Sequence, residues 1–172
     1  MIPDKPMMDR YRWLGLAIGV ALADQGAKYW IAGTFSLGAG ETVLPFFNLV
    51  HILNSGAAFS FLANAGGWQR YVFIALALAV SVVLTVMLLK GVANRWEGWG
   101  YSLLVGGAVG NLIDRLVRGA VVDYLDFHTD GWHWPAFNLA DTALCLSVLI
   151  LLLGVALAPT QAEIPPVETD NA

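Results

Sequence analysis

Charge is scarce in this sequence. Only 13% of its 172 residues are Asp, Glu, Lys or Arg, against roughly 25% in an ordinary soluble domain. So little polar material cannot clothe a water-soluble core, which excludes a soluble globular class and leaves a polytopic membrane protein as the expectation. Positive charge is scarcer still, with 9 Lys and Arg against 13 Asp and Glu. No basic patch is left to track a nucleic-acid backbone, and no nucleic-acid partner is expected. Cysteine is nearly absent. The single Cys145 excludes an internal disulfide and any Cys-spaced metal site, and its apolar surroundings predict an inert thiol packed against lipid or another helix. His51, His128 and His133 lack zinc-ligand spacing, so no metal is expected. There is no repeat of fixed period, no Gly-x-Ser-x-Gly elbow and no Ser-His-Asp set.

What is present is long apolar runs. Hydrophobic residues make up 58% of the chain, and the mean hydropathy is +0.64. Four stretches approach the ~20 residues that a bilayer core requires: about 13–31, 71–89, 99–117 and 138–157. They predict an all-α membrane class with one integral domain over 1–158 and a disordered cytoplasmic tail over 159–172. Lys5, Arg10 and Arg12 ahead of Ala21-Leu22-Ala23 also resemble a cleavable signal peptide. Apolar sequence resumes after Asp24 and three more spans follow, so a retained first helix is expected. Lys5, Arg10, Arg12, Lys90 and Arg95 flank the spans on one side, Arg70 and Arg118 on the other. That bias puts both termini in the cytoplasm. Residues 41–53 and 121–127, rich in β-branched and aromatic types, predict a small sheet on the outer membrane surface. Trp68, Tyr71, Trp132 and Trp134 suit an interfacial belt.

Three phrases break the apolar pattern: Asn111-Leu-Ile-Asp114-Arg115, Val121-Val122-Asp123 and Phe137-Asn138-Leu-Ala140-Asp141. Ionised groups at membrane depth are costly, so each phrase is a candidate functional site. With the orientation above, all three, together with Asp24 and Lys28, fall in one outer layer. Asn138 is placed to cap the fourth helix, with Asp141 as its third residue, and both can be read as caps alone. Asp123 reads either as a solvated loop carboxylate, like Asp126 and Asp130, or as a partner of Asp141. Two facing carboxylates cannot easily both ionise. One then serves as base and the other as acid, a pair able to direct water at an amide. Asn111, Asp114 and Arg115 share a helical face, as a polar clamp or as support for the site. Asp24 and Lys28 are spaced to form a structural pair, and Gly106, Gly107 and Gly110 suit close helix packing. Two other classes compete. A small proton-coupled carrier would spread its polar groups through the full depth and often repeat itself. A lipid-phosphate enzyme would need more cations or metal-binding carboxylates.

The phrases also form a series. In order come Asp24-Gln25-x-x-Lys28, Asn54-x-Gly56-x-x-Phe59, Gly106-Gly107-Ala-x-Gly110-Asn111-x-x-Asp114-Arg115, Val121-Val122-Asp123 and Phe137-Asn138-x-Ala140-Asp141. On these the chain resembles the lipoprotein signal peptidase family, the bacterial signal peptidase II enzymes. The resemblance implies four transmembrane helices, a small extracytoplasmic β-cradle and a loop helix over the site. It implies an aspartyl endopeptidase of the bacterial inner membrane, its site facing the periplasm, that cleaves diacylglyceryl prolipoproteins just before the lipidated cysteine. Asp123 and Asp141 would be the catalytic pair. Asn54, Gly56, Asn111, Asp114, Arg115, Asn138 and Ala140 would line or support the site, which also takes globomycin-type inhibitors. No cofactor is implied, membrane lipid is the surrounding partner, and a monomer is expected.

Overall fold

The computed structural model describes residues 7–56 and 66–158, with side chains from residue 10 onward. Phe59 and the tail over 159–172 lie outside the described residues, and so does Lys5. Four helices are seen: α1 (Met7–Thr34), α2 (Gln69–Lys90), α3 (Arg95–Val117) and α4 (Leu139–Ala156). Four strands accompany them: β1 (Gly40–Leu44), β2 (Phe47–Asn54), β3 (Val121–Thr129) and β4 (Trp132–His133). No loop helix lies over the site among the described residues.

Local chemistry sets the helix ends. α3 begins four residues before its apolar run. Asn94 Oδ1 accepts the Glu97 N–H at 3.1 Å and Glu97 Oε2 accepts the Ala93 N–H at 2.8 Å, so the first turn is capped from both directions. α2 stops at Gly91, whose φ of 99° needs a residue without a Cβ. α4 opens with a reciprocal capping box between Asn138 and Asp141.

The packing is inverted relative to a soluble protein. On α2 only Gln69, Ser81 and Leu88 are buried, and on α4 only Ala140, Ala143 and Ser147. Leu76, Val82, Leu149, Leu152 and Val155 point outward. Both helices are long and apolar enough to cross a membrane. α1 and α3 are also long, at 28 and 23 residues, and turn their polar side chains inward. Asp24, Lys28, Asn111, Asp114 and Arg115 are all buried. α3 is the hub. Gly106 fits against the Ala17 carbonyl of α1, and Gly107 against the Ala140 carbonyl of α4. A Cβ on Gly107 would stand 2.6 Å from that oxygen. These glycines let the backbones close to a separation that larger residues forbid.

The sheet is antiparallel throughout, in the order β1-β2-β3-β4. Asn54 pairs with Val121 and Ile52 with Asp123, with a register shift between Leu49 and Ile52. Val122 and Tyr124 of β3 pack on Ile31 of α1 in one core cluster, and Trp13, Ala17, Leu88, Val92 and Val105 form another. β3 thus sits against the helical bundle, and Asp123 is carried inward with it. One expectation is corrected here. Asp126 is not solvated: it is 7% exposed, accepts Asn48 Nδ2 at 2.8 Å and lies 2.9 Å from His133 Nδ1. The cross-strand register that pairs Asn48 with Asp126 supplies the partner that the loop reading lacked. Cys145 is exposed on α4, which fits the lipid-facing alternative and not the helix-packed one.

Candidate active site

Asp123 and Asp141, 18 positions apart in sequence, come from a strand and from a helix start, and one side chain ties them together. Asn138 Nδ2 donates to Asp123 Oδ1 at 2.6 Å, while Asn138 Oδ1 accepts the Asp141 N–H at 2.9 Å. The cap of α4 is therefore also a clamp on β3, and it is fully buried. The bland reading of Asn138 is correct as far as it goes, because a cap is worth about 1 kcal/mol to its helix. It omits the second hydrogen bond, which the cap does not require.

Two more carboxamides complete the arrangement. Asn54 Nδ2 donates to Asp123 Oδ2 at 2.9 Å, and Asn111 Nδ2 donates to Asp141 Oδ1 at 2.8 Å. Each carboxylate is thus held by amides on different elements, with its remaining lone pairs available for water. The amide orientations are themselves fixed. Asn54 Oδ1 accepts the Gly56 N–H at 2.9 Å, and Arg115 Nη2 holds the Gly56 carbonyl at 2.8 Å. Lys28 Nζ lies 2.9 Å from Asn111 Oδ1, which leaves the Asn111 amide nitrogen aimed at Asp141.

Lys28 is the centre of the layer beneath. It meets Asp24 Oδ2 at 2.8 Å and Asp114 Oδ2 at 3.0 Å, with all three side chains fully buried. Asp24 Oδ1 accepts the Ala140 N–H at 2.9 Å, which docks α1 on the first turn of α4. Asp114 also accepts the Val122 N–H at 3.0 Å and pairs with Arg118. Asp24 and Lys28 do pair as their spacing predicts, but the pair extends to three further elements. Asp114 has no surface to offer a ligand and links α3 to β3. Ala140 is small because α3 approaches it closely at Gly107 and Gly110.

Three contributors were not singled out from the sequence. Gln25 donates to the Gly110 carbonyl at 2.9 Å and to Asp114 at 3.1 Å; its signal was its place between Asp24 and Lys28. Arg118 completes Asp114 from the next turn. The Tyr124 hydroxyl accepts the Leu139 N–H at 3.1 Å, and no pattern in the chain announces that contact.

The electrostatics of the Asp123 carboxyl are set by its surroundings. Burial, and then the neighbouring Asp141 charge, push the Asp123 carboxyl up to about 7, against the opposing pull of Asn54, Asn138 and Lys28. Near neutral pH it can therefore hold a proton. Asp141 borders two cavities. One, of about 310 Å³, is lined by Asn54, Trp134, Phe137, Thr142, Cys145 and Leu146 among others. The other, of about 360 Å³, is lined by Phe73, Val80, Leu104, Asn111, Arg115 and Leu144 among others. Asp141, set between two largely apolar recesses, is placed to meet a polar bond within an apolar ligand. Histidines take no part, and no group of metal-ligand type is present among the described residues.

Known proteins of similar sequence and similar fold point to one family. The family described as Signal peptidase (SPase) II matches residues 16–157. A lipoprotein signal peptidase of Yersinia enterocolitica is 44% identical over 151 residues, covering 87% of this chain and 89% of the relative. Its counterpart from Yersinia pestis is 46% identical with the same coverage. Among solved structures, a bacterial membrane enzyme determined by the in meso method at 2.3 Å is similar with a TM-score of 0.75. It shares 31% identity, over 89% of this chain and 94% of that one.

Proposed function

The chain belongs to the signal peptidase II family, and from that premise we propose a membrane aspartyl endopeptidase acting on diacylglyceryl-modified prolipoproteins. It removes the signal peptide by cutting the bond immediately before the lipidated cysteine, with Asp123 and Asp141 as the catalytic pair. The observation that supports this most directly is the hold of Asn138 on both residues: its side chain donates to the Asp123 carboxyl and accepts the Asp141 N–H, and its own backbone N–H donates to the Asp141 carboxyl at 3.3 Å. It keeps a strand residue and a helix residue in one arrangement while leaving lone pairs on each for water.

The chemistry follows from one proton shared by the pair, which this reading puts on Asp123. Ionised Asp141 takes a proton from a water between the carboxyls as its oxygen attacks the scissile carbonyl. Asp123 gives its proton to the departing amide nitrogen as the C–N bond breaks. The new carboxyl and amine leave, and the proton on Asp141 is available to restore Asp123. Two carboxyl groups and water suffice, so neither metal nor organic cofactor is required. Asn54, Asn111 and Arg115 stand where a peptide backbone would pass, and Asp24, Lys28, Asp114 and Ala140 hold the frame. The two apolar recesses suit the diacylglyceryl chains and the hydrophobic signal helix. Globomycin-type cyclic peptides would compete for the same surface.

All four helices cross the bacterial inner membrane in this reading, with both termini cytoplasmic and the sheet on the periplasmic side. The Lys and Arg bias of the flanks supports that orientation. A lipid-anchored substrate then arrives already fixed in depth, and its scissile bond meets a carboxyl pair at the same level. The test is the mass of the product formed by the purified protein from a diacylated prolipoprotein. A fragment beginning at the lipidated cysteine is expected. No cleavage, or cleavage at another bond, would refute the assignment.

A further inference from the structure

The two recesses that meet at Asp141 use different faces of α4 and differ in kind. The recess of about 360 Å³ lies where α2 and α4 both pack on α3 and leave a cleft between them. Phe73, Ala77 and Val80 form one wall, Leu144 the other, and Leu104 and Ala108 the floor. From Leu104 to Arg115 it follows α3 for about 16 Å, at 1.5 Å per residue. Small residues at 77 and 108 admit the close approach of a further helix. The end beside Asp141 holds a buried donor without an acceptor. Arg115 is 8% exposed, and its Nη1 and Nη2 donate to the Asn111 and Gly56 carbonyls at 3.3 and 2.8 Å. Its Cζ lies 5.0 Å from the centre of the Phe73 ring. Its Nε has no hydrogen-bond partner among the described residues. The recess of about 310 Å³ lies between Trp134, Pro135 and Phe137 on one side and Thr142, Cys145 and Leu146 on the other. The Thr142 hydroxyl there already donates to the Asn138 carbonyl at 3.0 Å. Its open side continues onto Leu149 and Leu152, which share one exposed face of α4 with Cys145.

We propose that α4 divides the substrate between these recesses. The signal helix seats in the α2–α4 cleft with its last carbonyls at Arg115 Nε. One acyl chain of the diacylglyceryl group enters the other recess at Cys145 and runs out along Leu149 and Leu152. This rests on the peptidase reading above and assigns each part of that substrate to its place. A helix ends in carbonyls that have no partner within it, and the cleft supplies a donor for one of them. A hydrocarbon chain has no acceptor to give. Placed in the cleft, it would leave Arg115 Nε buried and unsatisfied, which is costly. The reverse assignment fails on length as well. Along α4 the Cys145 recess runs from Asp141 to Leu146, about 8 Å, too short to grip a helix about 10 Å across. Cys145, one turn from Asp141, is then a specificity residue that gauges the acyl chain.

The test uses two synthetic prolipoproteins of one sequence, with dipalmitoyl or dibutyryl glyceryl groups, and the purified full-length chain as wild type, Cys145→Trp and Ala77→Phe. The readout is the long-chain preference, the ratio of kcat/KM for the two substrates. Both substrates meet the same enzyme molecules, so this ratio does not depend on how much of a variant is folded. Wild type should prefer the long chains. Cys145→Trp fills the acyl recess and should cut the preference by about tenfold or more, the effect of roughly two methylenes left in water. Ala77→Phe narrows the cleft and should lower kcat/KM for both substrates alike, so that the preference stays. It should also weaken competition by the free signal peptide by about tenfold. An undiminished preference in Cys145→Trp would overturn the proposal, as would a preference lost in Ala77→Phe instead. Cleavage of neither substrate by wild type would reject the peptidase reading itself, and the placement with it.

Discussion

Asp123 is the residue whose environment makes the firmest demand on behaviour. An ordinary aspartate would be ionised throughout the physiological range, but this one is buried beside Asp141 and titrates at about 7. Raised affinity for the proton means that it is protonated below that pH and loses the proton as pH rises through it. If it is the acid of the pair, kcat/KM for a lipidated substrate must fall along an alkaline limb near pH 7. The partners give the sign of a second effect. Asn54 Nδ2 stabilises the ionised form of Asp123, so Asn54→Ala should move that limb to higher pH while lowering the maximum rate. A pH–rate profile of both proteins checks this, and a limb that stays in place would remove Asn54 from contact with the acid.

The identities of these residues were legible in the sequence, because carboxylates and carboxamides stand out in apolar surroundings. Their partnerships were not. Asn54 and Asp123 are 69 positions apart, and Lys28 and Asn111 are 83 apart; no local spacing encodes either contact. Asp126 shows the opposite failure. It looked like loop polarity and is instead a buried cross-strand acceptor. Burial alone would raise its carboxyl, but the hydrogen bonds from His133 and Asn48 outweigh that and hold it below the ordinary range.

At the scale of elements, the site depends on how closely α3 can lie against α1 and α4. Asn111 reaches Asp141 only because Gly107, one turn earlier, lets the Ala140 carbonyl come near. Gly107→Leu should therefore push α4 from α3. The expected cost is about 1–3 kcal/mol of stability, as for other overpacked interiors, with a larger fractional loss of activity than the lower Tm explains. Thermal unfolding and initial rates measured together would show this. A variant with a lowered Tm but an unchanged rate at permissive temperature would show that the glycine contact does not position the pair. The helices themselves were readable from apolar length, to within a few residues for α2, α3 and α4. The early start of α1 was hidden by Arg10 and Arg12, and that of α3 by a cap that precedes the apolar run. β4 has only two residues, Trp132 and His133, too few for any alternation to be visible.

For the whole molecule the organising fact is that polar groups are inside and apolar groups outside. Small residues line the contacts between helices, and Asp24, Lys28, Asp114 and Arg118 neutralise one another at their centre. Such a protein is stable only where its surface meets lipid, and its sheet must lie on one side of that lipid. If the orientation is as proposed, a cysteine placed on β1, where Val43 is exposed, faces the periplasm. In a Cys145→Ser background, Val43→Cys should react with a membrane-impermeant thiol reagent once the outer membrane is opened. Reaction only after the inner membrane is broken would invert the topology. The convergence of Asp24, Lys28, Asn111, Asp114, Asp123, Asn138 and Asp141, which their mutual contacts show, was expected from the charge bias. It is also what separates this chain from a carrier, which would need them along its full depth.

The pairing of Asp123 with Asp141 as the reacting groups is the claim on which the rest depends. Initial rates of cleavage of a diacylated prolipoprotein by wild type, Asp123→Asn and Asp141→Asn, each shown folded by its Tm, test it most directly. Both variants should lose activity by roughly a thousandfold or more. A wild-type rate from either one would contradict the account.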